Sequence, residues 1–139
     1  MKITTYRNVG EKITQRIIEL ETALNYIRTE IKSKPVTALR NNLFISRTGE
    51  SKQHAEKLPV LVFGGAYSNK NNQQGLISYN GLVTLEINRL ADWKEAVKLR
   101  NQVSAFPQTM LAFIGSSGKS VKILVPFTLP DGTLPEQPE

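Results

Sequence analysis

The chain has 139 residues, 40% hydrophobic and 22% charged, which fits one globular domain with its own core; zero cysteines and a single histidine exclude disulfides, thiol catalysis and Cys- or His-rich metal centres. Eighteen Lys and Arg against twelve Asp and Glu give a net charge of +6, which favours a polyanionic partner, although the basic residues are scattered rather than gathered into an arm. No apolar run approaches the roughly 18 residues of a membrane span, and Met1–Tyr6 does not open a signal segment, so no membrane partner and a cytoplasmic location are expected.

In chain order, Ile3–Asn8 alternates and is rich in β-branched and aromatic residues, which predicts a strand closed by Asn8-Val9-Gly10. From Lys12 to Ile31 the residues Ile13, Ile17, Ile18, Leu20, Leu24, Ile27 and Ile31 recur mostly three or four apart, the pattern of one amphipathic helix. Lys34-Pro35 should end it, because proline cannot continue a helix and disfavours helix in the residue before it. Val36–Leu43 allows a short second helix, Arg47-Thr48-Gly49 a turn, and Glu50–Lys57 a polar helix that leaves His54 on the surface. Leu58–Phe63 reads as a strand buried on both faces, Gly64-Gly65 as a turn, and Ser68–Gln74 as a polar, mobile loop.

Leu82–Ile87 predicts a further strand, and Asp92–Val103 a helix capped by Asp92 with Trp93, Ala96, Val97 and Leu99 inward. Thr109–Ile114, the turn Gly115–Gly118 and Val121–Phe127 have the spacing of a β-hairpin. The Pro- and Glu-rich segment 130–139 reads as a linker, leaving residues 1–129 as the domain. The order β-α-(α)-β-β-α-β-β predicts an α/β (α+β) fold: a mixed sheet with helices mainly on one face, containing a split β-α-β unit of ferredoxin or RNA-recognition type.

Two patterns carry chemistry. Glu86 and Asn88 stand two apart on a strand, so both side chains leave one face. Glu86 offers one oxygen ligand to a divalent cation and Asn88 a poorer, neutral one; the other reading is a polar sheet face with Asn88 turning the chain. The segment Gly115-Ser116-Ser117-Gly118-Lys119-Ser120 is not a phosphate-binding P-loop, since two residues rather than four separate glycine from Gly-Lys-Ser and a strand rather than a helix follows. It is either a structural hairpin turn or an anion-contacting one, through Lys119 and backbone N–H groups, with Lys122 on the strand beyond. Trp93 reads as a core anchor rather than a base-stacking platform.

Leu58-Pro59-Val60 into Phe63-Gly64-Gly65, then Asn80-Gly81-Leu82-Val83-Thr84-Leu85-Glu86-Ile87-Asn88, then Ala112–Lys122 resemble in order and spacing the VirE N-terminal domain family. That family occurs in Bacteroides-type genomes, largely in mobile-element and phage-like replication proteins, and is similar to the core of archaeo-eukaryotic primases and primase-polymerases. The resemblance runs from Ile3 to Gly132. It implies a primase-like fold and places Glu86 and Asn88 where active primases carry two metal-binding acids, so the pair is degenerate by one carboxylate. The implied cofactor is Mg²⁺ or Mn²⁺ at Glu86. It makes Ser116, Ser117, Gly118, Lys119 and Lys122 the nucleotide- or nucleic-acid-binding block, where active primases commonly carry a histidine. The family's third carboxylate lies beyond Glu139, so the chain is expected to be the amino-terminal portion of a longer protein and inactive as a primase by itself. The implied function is a DNA-replication- or mobile-element-associated domain binding nucleic acid or nucleotide. The alternative is a non-catalytic module positioning a downstream helicase-type domain.

Overall fold

The computed structural model describes residues 1–8, 15–30, 34–45, 48–70 and 73–134. In chain order they form β1 (Lys2–Tyr6), β2 (Gln15–Glu19), α1 (Leu20–Glu30), α2 (Lys34–Phe44), α3 (Thr48–Glu56), β3 (Val60–Val62), β4 (Gly65–Lys70), β5 (Gln73–Tyr79), β6 (Leu82–Ile87), α4 (Trp93–Ser104), β7 (Leu111–Ile114) and β8 (Val121–Pro126). The α/β class expected from the sequence holds. In place of one mixed sheet, the described strands form three small sheets, ordered β2-β1-β3, β4-β5 and β6-β8-β7, with every pairing antiparallel.

The split β-α-β unit is present in the third sheet. β6 and β7 are both antiparallel to β8, so they run parallel to each other, joined through α4 with β8 between them. Alternation along β8 divides its side chains between two cores. Val121 and Ile123 pack against Ala96 of α4, with Leu99 and Val103 alongside. Leu124 points the other way, into a cluster with Ile3 of β1, Ala23 of α1, Phe63 and Leu82. Helices therefore flank this sheet on both faces, not mainly on one.

Three local expectations change. The single helix foreseen from Lys12 to Ile31 is a strand and a helix: Gln15–Glu19 pairs with β1 from Lys2↔Glu19 to Tyr6↔Gln15, and helix begins only at Leu20. Adjacent β-branched Ile17 and Ile18 suit a pleated surface, and pairing with β1 satisfies the backbone that a helix would have satisfied internally. Lys12, Ile13 and Ile31 of that stretch lie outside the described residues, as do Val9-Gly10 and Arg47. Lys34-Pro35 opens α2, where the fixed φ of proline is pre-organised for the first turn. The polar stretch Ser68–Gln74 belongs to the β4-β5 hairpin, with Asn69↔Gln74 and Lys70↔Gln73 in register; Asn71 and Asn72 lie outside the described residues.

Side chains join the sheets. The Thr4 hydroxyl, fully buried on β1, donates to the Gly65 carbonyl at 3.3 Å and accepts from the Tyr67 amide at 2.9 Å, fastening β1 to β4. Asn80 donates to the carbonyls of Lys2 at 2.7 Å and Phe63 at 3.0 Å, immediately before β6. Beyond β8, the described part of the tail closes a turn, with the Leu129 amide on the Thr133 carbonyl at 2.8 Å and Leu134 against Gly81; residues 135–139 lie outside the described residues. Among the described residues no helix is long and apolar enough to cross a membrane.

Candidate functional site

The register of β6 against β8 sets Glu86 opposite Lys122, and that of β7 against β8 sets Phe113 on the other side of Lys122. The three form one row across the sheet, on the face that carries Leu82 and Leu124 inward. The Lys122 ammonium donates to the Glu86 carboxylate with a separation of 2.8 Å, and the two side chains are 35% and 34% exposed. Lys122 holds the Glu86 carboxyl below its usual range, mainly through this hydrogen bond; partial burial opposes the shift, and bonds from Ser120 and Asn88 support it. Glu86 and Asn88 are thus brought together as their spacing suggests, with the Asn88 amide serving the carboxylate. Both residues lie at the open margin of the sheet, since β6 is its edge strand.

The β7-β8 turn is tightly bonded within itself. The Gly118 amide donates to the Gly115 carbonyl at 3.0 Å, the Gly115 amide to the Ser120 carbonyl at 2.9 Å, and the Lys119 amide to the Ser117 hydroxyl at 3.2 Å. Gly118 sits at φ +77°, a conformation that glycine takes without steric cost. Three of the turn's amides are therefore occupied inside the hairpin, and what the turn offers outward is the exposed side chains of Ser116 and Lys119.

Arg40 of α2 reaches this turn. Its Nε donates to the Ser116 carbonyl at 3.1 Å and its Nη2 to the Gly115 carbonyl at 3.3 Å. Its guanidinium carbon lies 4.7 Å from the centre of the Trp93 ring, and burial lowers its pKa from the ordinary arginine value. Trp93 is 42% exposed, which overturns the core-anchor reading: the inward face of α4 is carried by Ala96, Leu99 and Val103, and Trp93 sits at its margin against Arg40 and the Gly118 turn. The Lys119 carbonyl accepts from the Leu90 amide at 3.0 Å, which brings Arg89 beside the same turn. Arg89 holds φ +62°, a left-handed conformation that costs a non-glycine residue about 1–2 kcal/mol.

Between this sheet face and the helices lies a cleft of about 420 Å³, lined among others by Tyr26, Val36, Arg40, Thr84, Phe113 and Lys122. Its walls combine α1, α2, α3, β3 and the third sheet. His54 is half-buried on α3. The sequence pointed to Glu86, Asn88, Lys119 and Lys122; it did not point to Arg40, Tyr26 or Thr84, whose partners are distant in the chain.

A two-metal centre does not fit these residues. The site has one carboxylate, already bonded to an ammonium, and among the described residues no group of three His, Cys, Asp or Glu could hold a metal ion.

The fold and site together define an α/β domain built on a split β-α-β unit, with a polar, net-cationic cluster where the hairpin turn meets α2 and α4. The chain matches the family described as BT4734-like, N-terminal domain, over residues 53–139, more than half its length, and it belongs to that family. No curated protein and no solved structure matches it.

Proposed function

We propose that the chain is a non-catalytic, primase-like domain of a replication or mobile-element protein, acting in the cytoplasm and contacting nucleic acid. The similarity to the VirE N-terminal and primase families belongs to this proposal. The observation that carries it is the gathering of Arg40, Arg89, Lys119 and Lys122 around one hairpin turn, beside the half-exposed indole of Trp93. Cations at a rigid turn meet phosphates as point charges, and an exposed aromatic ring gives a base a surface to stack on. Within this proposal Mg²⁺ or Mn²⁺ reaches Glu86 only by displacing Lys122, so metal affinity is expected to appear in Asn88→Asp rather than in the native chain.

Fluorescence anisotropy with a labelled single-stranded DNA oligonucleotide tests the reading. Binding should weaken as salt rises, and Lys119→Ala should weaken it by several-fold through the loss of one phosphate contact. Affinity unchanged by salt and by Lys119→Ala would remove the turn from the interface.

A second reading is favoured by a different observation. Val83, Leu85 and Ile87 on β6 are 38%, 49% and 39% exposed, an apolar edge suited to a protein neighbour such as a downstream helicase-type domain of the same protein. That reading predicts no DNA affinity at moderate salt.

A further inference from the structure

We propose that β6 is the contact strand of a two-fold homodimer, pairing antiparallel with β6 of a second copy so that the third sheet continues across both chains. The proposal rests on the apolar edge of the second reading above and gives it one partner; it does not use the cationic turn.

The apolar layer under α4 continues past the helix that covers it. Val121, Ile123 and Val125 of β8 belong to the cluster around Ala96, and α4 packs over β7 and β8. The register of β6 puts Ile87, Leu85 and Val83 opposite those three residues, and cross-strand partners share a face. The stripe therefore runs on to β6, where all three side chains are more than a third exposed.

The backbone of that edge is free to pair. The Phe127 amide donates to the Gly81 carbonyl at 2.7 Å, one step before the partners Leu82 and Pro126. Antiparallel ladders alternate, so Val83, Leu85 and Ile87 bond to β8, while the N–H and C=O of Thr84 and Glu86 point outward. Pro126 fits this phase, since it has no N–H to offer Leu82. Edge strands are commonly blunted by lysine, proline, a bulge or shortness. β6 has six residues with no Lys, Arg or Pro, and its ladder with β8 runs without a shift. Its one charge, Glu86, is held by Lys122 on the face opposite the stripe. The other edge, β7, is four residues long, half-buried throughout and overlain by α4.

The pattern of β6 is its own complement. With a two-fold axis at Leu85, that residue faces the partner's Leu85 and Val83 faces the partner's Ile87, apolar on apolar. Thr84 faces the partner's Glu86, both with outward backbone groups, and no like charges meet. An axis at Glu86 would set two carboxylates against each other, and one at Thr84 would set Leu82 against Glu86. Two chains of net charge +6 repel at a distance, so this contact should hold or tighten as salt rises, the reverse of DNA binding.

Sedimentation equilibrium on the full chain tests the proposal. A contact this small should give a dimer with a Kd of about 10–100 µM. Leu85→Lys should weaken it at least about tenfold while the circular dichroism spectrum stays native. Leu85→Cys, in a chain without other cysteines, should form a disulfide-linked dimer on mild oxidation, since facing residues of this kind lie about 4.5 Å apart at Cα. Val83→Cys should not, because its counterpart lies about 13 Å further along the strand. A chain that stays monomeric to about 1 mM, a dimer that dissociates as salt rises or is indifferent to Leu85→Lys, or Val83→Cys linking as readily as Leu85→Cys would overturn the proposal. A monomer overturns the homodimer whatever its DNA affinity, whereas a dimer that also binds DNA overturns the second reading and supports the pairing.

Discussion

At the scale of single residues, the pair Glu86–Lys122 ties stability to pH. Because Lys122 depresses the folded-state pKa of Glu86, the unfolded chain binds a proton there more readily in acid. The contribution is present above the ordinary carboxylate range and is lost as pH falls through the folded-state pKa. Urea unfolding at about pH 7 and about pH 4 should show a larger loss of stability in acid for the native chain than for Glu86→Gln. Identical losses would mean that the ion pair adds nothing to the fold. Half of this pair was legible: alternation put Glu86 and Asn88 on one face of their strand. The partner was not, since nothing local fixes the register of two strands separated by α4 and a third strand. Arg40 left no trace in the sequence, because the carbonyls it serves are about 75 residues further along.

Among elements, α4 is the one whose start follows from a local rule. Asp92 accepts from the Glu95 amide at 2.8 Å, and the Glu95 carboxylate accepts from the Ala91 amide at 2.6 Å, so two amides at the helix start are satisfied by side chains within five residues. Asp92→Ala should cost about 1 kcal/mol in denaturant unfolding, and Asp92→Ser much less. An unchanged midpoint in Asp92→Ala would show that packing of Ala96, Leu99 and Val103 alone sets the helix. The β2–α1 junction is the contrary case. A three-to-four spacing of isoleucines fits a helix as well as it fits a strand followed by a helix, and the decision is made by β1, which supplies a ladder only once the chain has folded. The β4-β5 hairpin escaped notice for a related reason: Asn and Gln side chains carry no apolar signal, while the backbone pairing they permit is independent of it.

At the scale of the molecule, the three sheets act together through a few shared side chains. Asn80 bonds to β1 and to the residue after β3 with one amide group, and its own N–H meets the Gly64 carbonyl at 2.9 Å. Asn80→Ala should therefore destabilise the whole fold by about 1–3 kcal/mol, mainly the cost of leaving the part-buried Phe63 carbonyl without this donor, with a single unfolding transition at a lower midpoint. A change confined to one probe would show that the first and third sheets unfold separately.

The place of β8 has a consequence for how the chain is made. It is the last described strand to be synthesised, yet it lies between β6 and β7, and Leu124 closes the cluster that includes Ile3. Until residues 121–126 leave the ribosome, β6 and β7 have neither of their ladders, and the earliest strand lacks part of its apolar cover. Folding of this sheet must therefore wait for its central strand, which follows both of its neighbours in the chain, and the long sequence separation of its contacts makes that step slow. During translation the apolar residues of β6 stay open to whatever protein meets the nascent chain first.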